Sequence, residues 1–66
     1  MTDAKISLRA ARVNSKLTQK QAADQLLIGT STLQGYECGK RQPRMDMLLR
    51  MESLYGIGIQ RLRVEG

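Results

Sequence analysis

Cys38 is the only cysteine in this chain and histidine is absent, so the fold has to be held by packing. A single cysteine excludes an internal disulfide. A structural zinc site would have to lean on carboxylates, a ligand set that zinc seldom accepts. A chain of 66 residues buries only about 60% of the surface that its unfolded form exposes, which leaves its stability marginal. What remains is a well-packed helical core, helped by self-association. A lone cysteine also suits a reducing cytoplasm.

Helices are what the pattern supports. Pro43 is the single proline, and β-branched or aromatic residues occur only in short runs. A first helix is expected from Asp3 to Lys16, rich in Ala, Leu, Lys and Arg. It carries two apolar lines, Ala4–Leu8–Ala11 and Ile6–Ala10–Val13, and between them a basic stripe of Lys5, Arg9, Arg12 and Lys16. Thr18 reads as the N-cap of a second helix over 19–26 with Ala22, Ala23 and Leu26 inward. After Leu27-Ile28-Gly29, a third helix runs to about Glu37 with Leu33 and Tyr36 inward, and Gly39 closes it in the left-handed conformation. Lys40 to Arg44 form a basic loop. A fourth helix over 45–55 buries Met45, Leu48, Met51 and Tyr55, and a short fifth around 59–63 contributes Leu62.

Charge narrows the function. A net charge of +5 points to a polyanionic partner. Tyr36 and Tyr55 are the only aromatics, too few to stack single-stranded bases, so duplex DNA is the expected partner. No apolar run approaches the roughly 18 residues that span a bilayer, and the N-terminus lacks the pattern of a secretory signal. A cytoplasmic protein is expected, associated with the nucleoid when on DNA. The carboxylates Asp3, Asp24, Glu37, Asp46, Glu52 and Glu65 are scattered, and no glycine-rich phosphate loop occurs. That excludes an acid–base pair or metal cluster of catalytic spacing, and with it an enzyme. No cofactor, metal or small-molecule ligand is implied.

Two short helices joined by a tight turn, the second carrying small polar residues outward, form a device for reading DNA. The second helix enters the major groove with its N-terminal residues at base edges, and the first lies across the backbone. On the third helix Thr30, Ser31, Gln34 and Gly35 face outward, and short hydroxyls and an amide donate to and accept from bases.

From Leu17 to Leu62 the chain resembles the Cro/repressor (XRE) helix-turn-helix family of phage and bacterial regulators. The resemblance rests on the Leu17-Thr18-Gln19 start, an alanine within helix 2, Glu37-x-Gly39-Lys40 after helix 3, and Pro43 three residues past the lysine. It implies an all-α, five-helix lambda-repressor-like domain, read as one domain over residues 1–66, with the helix-turn-helix at 18–37. Thr30, Ser31, Gln34 and Gly35 then fall at base-reading positions. Gly35 stands where relatives often carry a long side chain. Thr18, Gln19, Thr32, Lys40, Arg41 and Arg44 fall where relatives hold the DNA backbone. Arg12 and Glu37 match an ion pair that ties helix 1 to the end of helix 3, unless they form a surface bridge worth under about 1 kcal/mol. Leu27 replaces a common turn glycine, implying either a turn without a left-handed residue there or a strained one. Glu52 replaces a small apolar residue, implying a looser core or a partner for its carboxylate. The resemblance selects Ala4–Leu8–Ala11 as the core line of helix 1.

The expected protein is therefore a phage Cro-like repressor that occupies an operator as a homodimer. Self-contact is expected through 57–64 or the second apolar line of helix 1. An antitoxin or restriction controller shares the fold. An antirepressor would use it to bind another regulator.

Overall fold

The computed structural model describes residues 5–63, and within them the order is β1 (Ile6–Ser7), α1 (Leu8–Asn14), α2 (Gln19–Leu26), α3 (Thr30–Cys38), α4 (Met45–Tyr55), a 3-10 turn (Ile59–Arg61) and β2 (Leu62–Arg63). Ala4 and Val64, named above as core and dimer residues, lie outside the described residues.

The first helix starts later than its composition suggests. Ser7 adopts an extended backbone and its Oγ accepts from Ala10 N at 3.1 Å, which makes Leu8 the first helical residue. Ile6 and Ser7 instead pair in parallel with Leu62 and Arg63. This corrects the expected start at Asp3, and it dissolves the second apolar line. Ile6 belongs to the strand and packs half-buried against the core, while Ala10 is exposed and Val13 is 54% exposed. Leu8 and Ala11 are buried, as the family line requires.

Local chemistry sets the other boundaries. Thr18 and Gln21 form a reciprocal capping box at the start of α2: Gln21 N donates to Thr18 Oγ1 at 3.1 Å, and Thr18 N donates to Gln21 Oε1 at 2.9 Å. Gly39 (φ 87°) closes α3 and Gly56 (φ 67°) closes α4, both left-handed, where the missing Cβ removes the steric penalty. The segment expected as a fifth helix forms one 3-10 turn before chain pairing takes over at Leu62. So the described residues hold four α-helices. Ile59 N, at the head of that turn, donates to Glu52 Oε2 at 3.1 Å, which gives the half-buried Glu52 carboxylate its partner.

The core gathers Leu8, Ala11, Ala22, Ala23, Leu26, Leu33, Met51, Tyr55 and Leu62 from every major element. Ala22 and Ala23 let α2 approach its neighbours closely. Leu33 is fully buried and anchors α3, whereas Tyr36 is half-buried. Met45, expected in the core, is 58% exposed: it opens α4 at the rim, and Leu48 and Met51 carry the contact in its place. Among the described residues, no helix is long and apolar enough to cross a membrane.

Candidate nucleic-acid interface

The site is built on a buried polar network. Arg12 Nε donates to Glu37 Oε2 at 2.7 Å, and its Nη2 reaches Oε1 at 3.4 Å. The same guanidinium donates through Nη1 to the carbonyl of Leu17 at 2.8 Å. Gln19 Nε2 donates to Glu37 Oε1 at 3.1 Å. One carboxylate thus gathers α1, the start of α2 and the end of α3. The two charged side chains are 9% and 4% exposed, so this is a buried pair and not a surface bridge. Burial of two charges is expensive, and it is tolerated here because nearly every polar edge of the pair is hydrogen-bonded. Its structural effect is to fix the angle of α3 against α2.

Beneath this network Tyr55 is buried, and its hydroxyl has no hydrogen-bond partner among the described residues. Burial pushes its phenol up to about 12; the Glu37 carboxylate adds to the rise and Arg12 opposes it.

Above the network, α3 presents Thr30, Ser31 and Gln34 as exposed residues on one side, with Thr32 half-buried beside them. Gly29 caps the helix without a side-chain hydrogen bond. No acidic residue lies in its first turn. Gly35 is corrected: it does not face outward as an open position. It is buried, and the aliphatic stem of Arg41 lies over it.

Two flanks border α3. On one side Arg9, Arg12, Thr18, Gln19, Gln34, Glu37 and Cys38 line an open cleft of about 520 Å³. Thr18 is exposed and already engaged as a cap, and Gln19 is half-buried and already engaged with Glu37. On the other side Lys40, Arg41 and Arg44 are exposed in the 39–44 loop, which Pro43 roots by being buried. The structure therefore brings together on one surface the polar face of α3, the start of α2 and the basic loop. Lys20 and Asp24 form a further ion pair along α2 at 3.5 Å, exposed to solvent.

Arg9 and Cys38 belong to the cleft although sequence reasoning gave neither a place there. For Arg9 the signal was its i, i+3 relation to Arg12, which sets both on one side of α1. For Cys38 the signal was its i, i+4 relation to Gln34 on α3.

Comparison with known proteins agrees with this architecture. The sequence profile of the helix-turn-helix family matches residues 8–62. The chain is similar to the HTH-type transcriptional regulator ImmR of Bacillus subtilis (strain 168), 42% identical over 50 residues, which is 76% of this chain and 39% of that protein. It thus spans about two fifths of the length of this curated relative. No solved structure matches the chain significantly.

Proposed function

The chain belongs to the helix-turn-helix family, and from that premise we propose that it is a transcriptional repressor that occupies an operator in double-stranded DNA. The observation that carries the reading is the polar face of α3. Thr30, Ser31 and Gln34 are exposed together, free of carboxylates, at an angle locked by Arg12, Glu37 and Gln19. In this reading α3 lies in the major groove, with Ser31 and Gln34 at base edges. Thr18, Gln19 and the start of α2 meet one phosphate strand, while Lys40 and Arg44 track the backbone on the other side. The similarity to a protein named as a transcriptional regulator supports the regulatory role.

The same reading makes residues 1–66 one DNA-binding unit acting in the cytoplasm without catalytic chemistry. On DNA it works as a homodimer on a two-fold operator with half-sites about one helical turn apart. Val13, exposed on α1, and Ile57 and Ile59, half-buried after α4, supply apolar surface for that contact. A fluorescence-anisotropy titration of the protein against duplexes from its own upstream region tests the proposal. Affinity should be highest for one such duplex and fall linearly on a log–log salt plot. No affinity for any duplex at low salt would contradict it and favour a protein-binding role.

A further inference from the structure

We propose that Arg41 reads a base edge beside Gln34, filling on α3 the place that a side chain on residue 35 would occupy; this rests on the DNA-binding reading above. The family resemblance puts Arg41 among backbone contacts, but the geometry assigns it more. A Cβ added to Gly35 would lie 3.1 Å from Arg41 Cδ and 3.2 Å from Cγ. The arginine stem therefore occupies the very surface of α3 from which a longer residue 35 would project. Its start is pinned as well, since Arg41 N donates to the carbonyl of Gly35 at 3.1 Å.

An arginine tracking phosphates from a loop needs only charge and reach. This one lies along the recognition helix, which holds its stem before any ligand arrives and lowers the entropy cost of ordering it on binding. Arg41, Lys40, Ser31 and Gln34 border one depression of about 290 Å³. No carboxylate among the described residues forms an ion pair with the Arg41 head group. A guanidinium fork beside a side-chain amide fits guanine, whose O6 and N7 accept both of its donors in the major groove. Gly35 is then the residue that admits the arginine, and the specificity lost at position 35 is supplied from position 41.

Selection of bound sequences from random duplexes, run on the wild type, Arg41→Ala, Arg41→Lys and Gly35→Ala, tests this, with circular dichroism confirming helicity. The wild type should enrich a motif containing a G·C pair whose preference falls roughly 5- to 150-fold in Arg41→Ala and by a smaller factor in Arg41→Lys. Lysine keeps the charge but lacks the fork. Gly35→Ala should alter the preference at the same base pair, because its Cβ displaces the Arg41 stem. If Arg41→Ala weakens binding to all duplexes equally and Arg41→Lys keeps the full motif, Arg41 is a backbone contact and the inference is overturned, while the DNA-binding reading stands. A wild type that enriches no motif overturns both.

Discussion

Leu27 shows what a single position can hold against its own preference. Its φ of 61° and ψ of 41° are left-handed, with the side chain 83% exposed, so it pays steric strain without burying its apolar surface. Of the two outcomes open for a leucine in place of the turn glycine, the strained one is realised. Ile28 N still donates to the carbonyl of Ala23 at 3.0 Å, so the turn geometry is imposed by the ends of α2 and α3 and not by the residue in it. Leu27→Gly should therefore stabilise the protein by roughly 0.5–1 kcal/mol, the strain relieved less the extra unfolded-state entropy of glycine, seen as a rise of a few degrees in Tm. Tyr55 is the converse case, a well-packed ring with an orphaned hydroxyl. Its folded pKa, pushed up to about 12, lies above the unfolded value of about 10. The associated stability is complete below about pH 10 and is lost as pH rises toward 12, because the folded state keeps a proton that the unfolded state gives up. Tyr55→Phe should be more stable at neutral pH by roughly 1 kcal/mol. Denaturant melts between pH 9 and 12 should show a flatter alkaline decline than in the wild type.

At the scale of elements, sequence legibility follows how local the determining chemistry is. Thr18 and the periodicity of Ala22, Ala23 and Leu26 mark α2 to the residue, and α4 falls at 45–55 as its apolar spacing and Gly56 dictate. The start of α1 was not legible, because Ile6 and Ser7 are drawn from the helix by a strand more than fifty positions away. The same pairing shortens the last segment. Burial of Arg12 and Glu37 was open in sequence, where an arginine in a basic stripe looks like any solvated one; only the approach of α1 to α3 removes it from water. The cover over Gly35 was hidden for a related reason, since a loop folds back on the helix it follows. Because the Thr18–Gln21 box supplies two amide partners at the head of α2, Thr18→Ala should cost about 1 kcal/mol of unfolding free energy, measurable by urea melts.

For the whole molecule, the core is small and one polar network sets the posture of its helices. Glu37→Ala strands the Arg12 guanidinium in a buried site and frees Gln19. It should cost about 3 kcal/mol or more, a large fraction of the stability of a domain this size, and weaken duplex binding even under conditions where the variant stays folded. Charge is positive overall, and three of the exposed cations, Lys40, Arg41 and Arg44, stand in the loop beside α3. In the proposed reading this side, and not the exposed apolar residues Leu27 and Leu49, meets DNA. Amide chemical-shift mapping of the isotopically labelled protein, titrated with its best-bound duplex, tests that most directly. The largest shifts are expected at residues 18–21, 30–35 and 39–44, with α4 beyond its first turn little changed. Shifts concentrated on Leu27, Leu49 and Arg50 with α3 unmoved would contradict it.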